Sequence, residues 1–193
     1  MISYFLGRGA CLKGHCGLPV PGSSVRIVAP ETEVDGSAGE EGELWVRGPH
    51  VMLGYHNLPK ETDNVLHHGW YRTGDLACSN EHGYLKITGR IKELIIRGGE
   101  NITPVEVEEV VTQHPAVADC AVVGAPHEEL GEVPVVFVVP ENETELEPDD
   151  ILDYCSKHLA RYKVPAEIMV TDAIPRTGSG KTMRFKLREQ LLH

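Results

Sequence analysis

At Gly89-Arg90 the hydrophobic rhythm of the chain changes, and this break constrains the fold more than any other feature of the sequence. Before it, apolar residues fall in short stretches: 25–28, apolar with one charge, then Glu43-Leu44-Trp45-Val46-Arg47 and 84–88, both with the two-residue period of a half-buried strand. The segments between them, such as the Gly/Ser/Glu stretch 36–42, are rich in residues that tolerate turn geometry or hydrogen-bond their own backbone. Residues 17–90 therefore read as all-β, whereas residues 1–16 show no clear period.

After the break, helices and strands mix. Leu94-Ile95-Ile96 is an apolar strand and Gly98-Gly99 a turn. Thr103-Pro104-Val105-Glu106 has the form of a capping box with proline at the first helical position. A helix is predicted to start there, run through Val107, Val110 and Val111, and stop at His114-Pro115. Strands near 120–123 and 135–139 follow, then a helix from Pro148 that presents Ile151, Leu152, Cys155 and Leu159 on one face. A strand near 168–170 and a helix from about Met183 close a unit of ordinary domain size. The predicted fold class is α+β: a β-rich domain over 1–90 and a small α+β domain with a central sheet over 91–193.

Composition narrows the function. In a chain of 193 residues, 41% hydrophobic and 24% charged content is a globular balance. No apolar run approaches the roughly 20 residues that span a bilayer. The apolar N-terminus is too short for a secretory leader, so a cytoplasmic protein with no membrane span is predicted. A net charge of −11 argues against nucleic acid as a partner. A polyanionic ligand would need a local positive patch, which Arg176, Lys181, Arg184, Lys186 and Arg188 supply against Glu189 alone. The cysteines Cys11, Cys16, Cys78, Cys120 and Cys155 are odd in number and irregular in spacing, which reads as free thiols. Cys11, His15 and Cys16 lie close together, but tetrahedral zinc needs a fourth ligand, so no metal site is predicted.

Three segments carry chemistry. They are Gly69-Trp70-Tyr71-Arg72-Thr73-Gly74-Asp75-Leu76; then Gly89-Arg90-Ile91-Lys92-Glu93 running on through Arg97-Gly98-Gly99-Glu100-Asn101-Ile102; and Pro175-Arg176-Thr177-Gly178-Ser179-Gly180-Lys181. A weaker fourth is Gly42-Glu43-Leu44-Trp45-Val46-Arg47-Gly48-Pro49 with Gly54-Tyr55. In this order, over nearly all of 17–192, they resemble the adenylate-forming superfamily of acyl-CoA synthetases, coumarate–CoA ligases, luciferases and peptide-synthetase adenylation domains. Gly178-Ser179-Gly180-Lys181-Thr182 also looks like the end of a P-loop, but Pro175 stands where that pattern requires its first glycine.

The residue types suit what the resemblance implies. An ionised carboxylate accepts only, and Asp75, read as sitting at a Thr-Gly turn, would take both hydroxyls of the ATP ribose. Arg90 is a fixed fork of donors suited to ribose or phosphate oxygens; the bland alternative is a surface salt bridge. Lys92 aligns with the hinge about which the small domain swings. Lys181 would stabilise the charge that develops as AMP is transferred to a carboxylate, and Gly178 and Gly180 let its loop approach closely. Gly98, Gly99 and Glu100 would face the CoA pantetheine, the bland alternative being a hairpin turn.

The resemblance implies a fragment of an ATP-dependent ligase that makes acyl-CoA from a carboxylic acid, a fatty acid by analogy, through an acyl-adenylate. ATP and CoA are its substrates, with Mg2+ carried on ATP. Residues 1–90 then correspond to the end of a larger domain whose phosphate loop and acyl pocket belong upstream. The chain alone is expected to be inactive and to self-associate through the exposed surface of 17–90. The alternative reading is a non-catalytic interaction module that docks on another chain.

Overall fold

A computed structural model of the chain describes residues 3–4, 14–30, 32–141 and 146–191. Cys11, and with it the weighed zinc set, lies outside the described residues. The chain folds as two compact units, Met1–Lys92 and Glu93–His193.

The first unit contains β1 (Ser3–Tyr4), β2 (Leu18–Pro19), β3 (Ser24–Val28), β4 (Gly42–Arg47), α1 (Pro59–Val65), β5 (Leu66–His67), β6 (Trp70–Ser79) and β7 (Leu85–Arg90). β1 pairs with β2, and the rest form an antiparallel sheet in the order β3-β4-β6-β5, with β7 also on β6. β6 is the organising strand: its start faces β5, its end faces β7, and β4 lies along it. Ile27, Leu44, Val46, Ala77 and Leu85 form the core.

Residues 17–90 are not all-β, because α1 interrupts them. Hydrophobic period could not reveal this helix: it buries no residue, and its start is set by Pro59 and by Thr62, whose hydroxyl donates to Leu58 O at 2.9 Å and accepts from Tyr55 N at 2.9 Å. Nor is β4 half-buried as its alternation suggests, since Glu43 and Trp45 are as enclosed as Leu44 and Val46. The guanidinium groups of Arg26 and Arg72 cover Trp45 at 5.5 and 5.2 Å from its ring centroid.

The second unit contains β8 (Ile95–Arg97), β9 (Glu100–Ile102), α2 (Pro104–Val111), β10 (Val117–His127), β11 (Gly131–Pro140), α3 (Pro148–His158), β12 (Glu167–Val170) and α4 (Arg184–Gln190). β10 and β11 form a long antiparallel hairpin, β12 joins β11 in parallel, and the β8–β9 hairpin attaches through Gly131 opposite Arg97. Both faces of the central pair are covered. Val122, Val136 and Val138 pack with Val107, Val111, Ile151 and Cys155 of α2 and α3. Ala121, Val123, Val135 and Phe137 pack with Leu187 of α4 and Ile174. Burial on both sides is why β10 and β11 read as continuous apolar runs instead of alternating.

Thr103 caps α2 by position only. Its side chain makes no capping bond, and Glu106 reaches away from the helix end to Lys163 Nζ at 2.6 Å. The charged partner wins over the backbone N–H that a capping box offers. Burial alone would lower the Lys163 pKa, but the hydrogen bond and charge of Glu106 outweigh it and raise it.

Candidate active site

Asp75 and Arg90, far apart in sequence, are cross-strand neighbours on β6 and β7, with Asp75 Oδ1 and Arg90 Nε 2.9 Å apart. Asp75 is not at a turn as expected but inside β6, where Gly74 takes φ +70° just before it. A Cβ at Gly74 would meet nothing within 4 Å, so it is the left-handed backbone, not lack of room, that asks for glycine. Both pair members keep contact with water, at 26% and 45% side-chain exposure. The surface salt bridge set beside the ligand reading of Arg90 is therefore present, and it joins the two residues singled out for nucleotide binding.

The segment leading into Asp75 is held by a residue the sequence reading passed over. Glu43, 3% exposed, accepts from Trp45 Nε1 at 2.8 Å, Arg72 Nε at 3.1 Å and Gly74 N at 3.1 Å. Thr73 donates its hydroxyl to Leu44 O at 2.7 Å and accepts from Asp75 N at 3.0 Å. Thr73, Gly74 and Asp75 are thus fixed to β4 through side chains where the backbone ladder between β4 and β6 shifts register. An acidic residue beside a buried tryptophan in Glu43-Leu44-Trp45 was the available signal.

Beside this segment lies an open cleft of about 580 Å³, lined among others by Tyr55, Tyr71, Thr73, Gly74, Arg90 and Lys92. That is within the size range of small-molecule sites. Burial first, and then the hydrogen bond with Tyr55, push the Tyr71 phenol above its ordinary 10.0. The Tyr71 phenol therefore keeps its proton more firmly than a free one, and Tyr55 lines the cleft beside it. Lys92 is exposed in a 3-10 turn, Ile91–Glu93, and is the last residue of its unit.

In the second unit, Gly98 and Gly99 form the tip of the β8–β9 hairpin with φ of +59° and +90°, and Glu100 follows, exposed. The bland hairpin reading is thus realised, and the tip is anchored. Gly98 N donates to Leu130 O at 2.8 Å, and Arg97 Nη1 donates to Tyr162 O and Val164 O at 2.9 and 3.1 Å.

Lys181 is exposed on a closed hairpin in which Thr177 N donates to Lys181 O and Gly180 N to Thr177 O, both at 2.8 Å. The positive patch expected around it is smaller than the sequence suggests. Arg176 pairs with Asp119 at 2.8 Å, Arg184 with Glu108 at 2.7 Å and with Glu93 at 3.0 Å, and Arg188 with Glu132 at 3.6 Å. These acidic partners come from strands and helices distant in sequence, so local charge counting missed them. Lys181 and Lys186 carry no ion pair among the described residues. The same residues contain no cluster of His, Cys, Asp or Glu able to hold a metal, and no helix long and apolar enough to cross a membrane.

The AMP-binding enzyme family pattern matches residues 3–56, and that of the AMP-binding enzyme C-terminal domain matches 106–181, ending on Lys181. The chain resembles ATP-bound MatB from Rhodopseudomonas palustris with a TM-score of 0.88 at 35% identity, over 92% of this chain and 35% of that one. It resembles o-succinylbenzoate CoA synthetase from Bacillus subtilis, bound to its acyl-adenylate intermediate, with a TM-score of 0.81 at 37% identity, over 91% and 35%. The architecture is that of the C-terminal region of the adenylate-forming superfamily. The chain belongs to the AMP-binding enzyme family. It is 45% identical to a long-chain-fatty-acid–CoA ligase of Yersinia pestis, over 92% of this chain and 31% of the relative. It is 44% identical to the putative acyl-CoA synthetase YngI of Bacillus subtilis, over 91% and 32%. The chain thus spans about a third of the length of the curated relatives it matches.

Proposed function

We propose that these residues form the C-terminal part of an ATP-dependent acyl-CoA synthetase acting on a fatty acid. The observation that carries the reading is the Asp75–Arg90 pair at the edge of the tyrosine-lined cleft, at 2.9 Å and half open to water. One oxygen of Asp75 is held by Arg90, and the other is left to accept from a ribose hydroxyl. The carboxylate of the acid attacks the α-phosphorus of ATP and pyrophosphate leaves. The CoA thiol then attacks the acyl carbon, AMP leaves, and the thiol proton goes to solvent. Lys181, exposed and without an ion pair among the described residues, stabilises the negative charge of the first step. Gly98, Gly99 and Glu100 face the CoA pantetheine in the second, and Lys92 is the pivot between the two arrangements. The fatty-acid assignment follows the relatives named above. Mg2+ enters on ATP. A cytoplasmic location fits the free thiols Cys16, Cys78, Cys120 and Cys155.

On this reading the chain forms no acyl-adenylate by itself. Exposed Leu53, Tyr55 and Leu58 support self-association, read by sedimentation. The test is complementation. The chain is mixed with the upstream two-thirds of a fatty-acid relative, and pyrophosphate release is followed with ATP and fatty acid. Activity is expected only in the mixture, and Lys181→Ala should lower it by about 100- to 1,000-fold. Pyrophosphate release by the pure chain would overturn the reading, and binding of the two parts without activity would favour an interaction module.

A further inference from the structure

The bonds that close the Lys181 hairpin are local, including Lys181 N to Thr177 Oγ1 at 3.1 Å, so they shape the loop without aiming it. Two arginines tie it to the rest of its unit. On the entering side, Arg176 Nη2 donates to both oxygens of Asp119 at 2.8 Å, in the open: the side chains are 40% and 38% exposed. On the leaving side, Arg184 is only 18% exposed and uses its whole fork. Nη2 donates to Glu108 Oε1 and Oε2 at 2.7 and 2.9 Å, Nη1 to Glu93 Oε2 at 3.0 Å, and Nε to Val122 O at 3.2 Å. Glu108 in turn accepts from Val122 N at 2.8 Å. One side chain thereby joins the start of α4 to the middle of β10, to α2 and to the first residue of the unit.

We propose that Arg184 is a positioning residue for Lys181, the brace that fixes where the ammonium stands on its unit. The proposal rests on the reading of Lys181 given above. Two carboxylates meet at this one guanidinium, so a single cation offsets their mutual repulsion. A planar five-donor fork is required: lysine keeps the charge but cannot serve Glu108, Glu93 and Val122 O together. The second tie, at Arg176, is exposed and screened, so it holds the loop weakly once the first is gone.

The test has two arms, with Arg184→Lys and Arg184→Gln, and Arg188→Gln as a control that removes a weak exposed pair from the same helix. In the chain itself, heteronuclear NOE and amide exchange are read at Thr177, Gly180 and Met183, each of which donates a backbone hydrogen bond within the loop. Exchange there should quicken about tenfold or more in both Arg184 variants while β11 amides keep their rates. Unchanged loop amides, or a uniform loss across β11 and the loop, would overturn the proposal. In the complemented enzyme, Arg184→Lys should slow pyrophosphate release while leaving thioester formation from supplied acyl-adenylate unchanged. Loosening of the loop with an unaffected first step would keep the brace and remove Lys181 from catalysis; a slowed first step with a rigid loop would refute the brace.

Discussion

Replacing Glu43 by alanine should destabilise the first unit selectively. The substitution removes the acceptor shared by Trp45 Nε1, Arg72 Nε and Gly74 N, at a site 3% exposed. An orphaned buried donor costs about 1–3 kcal/mol, so the enclosed indole N–H contributes about 2 and the half-buried Gly74 N–H about 1. Arg72 is 27% exposed and turns to water or to Glu33, so it adds little. The sum is about 3 kcal/mol, a large share of the stability of a unit this size. Glu43→Gln keeps one acceptor oxygen and should cost about 1 kcal/mol. Urea unfolding followed by tryptophan fluorescence reads this unit alone, because the chain has 2 tryptophans, Trp45 and Trp70, and both lie in Met1–Lys92. With a slope near 1 kcal/mol per molar urea, the alanine midpoint should fall by about 3 M. A midpoint within about 0.5 M of the parent would refute the argument that Glu43 is the buried anchor of the Thr73–Asp75 segment.

Asp75→Asn should change stability by less than about 1 kcal/mol, because the Arg90 pair is half exposed, yet weaken AMP binding by about tenfold or more, read by calorimetry. Equal loss of both would reassign Asp75 to structure. In the second unit, burial pushes the Cys120 thiol up to about 12, with the charges of Glu108 and Asp119 adding to it, and pushes Cys155 up to about 11. From the usual 9.0 upward the unfolded chain loses these protons while the folded one keeps them, so the neutral thiols stabilise fully below pH 9. Stability should decline at up to about 1.4 kcal/mol per pH unit for each thiol between pH 9 and 11, and a Cys120→Ala/Cys155→Ala chain should show a flatter profile by circular dichroism. Thiol reagents at pH 8 should label Cys16 and Cys78 ahead of Cys120 and Cys155.

Several local signals in the sequence disclosed the structure. Pro104 and Pro148 mark the starts of α2 and α3, and Gly98-Gly99 makes its hairpin because only glycine sits easily at those positive φ angles. The apolar runs of β10 and β11 give the centre of the second sheet, though not how far the strands extend. Asp75, Arg90 and Lys181 were legible one by one as residue types in motifs.

Tertiary structure decided which of those groups are neutralised and which remain available. The Arg176, Arg184 and Arg188 charges are quenched by Asp119, Glu108, Glu93 and Glu132, residues brought from other elements by the folding of the sheet. The same folding gives Glu106 to Lys163 instead of to its own helix end, and buries Glu43 under the segment that carries Asp75. Coulomb and hydrogen-bond energies depend on distances of a few ångströms, and a linear pattern of residues fixes such distances only within a turn or a strand. The sequence thus determined the local elements and the chemical types in them, and the packing of strands and helices determined which charges meet.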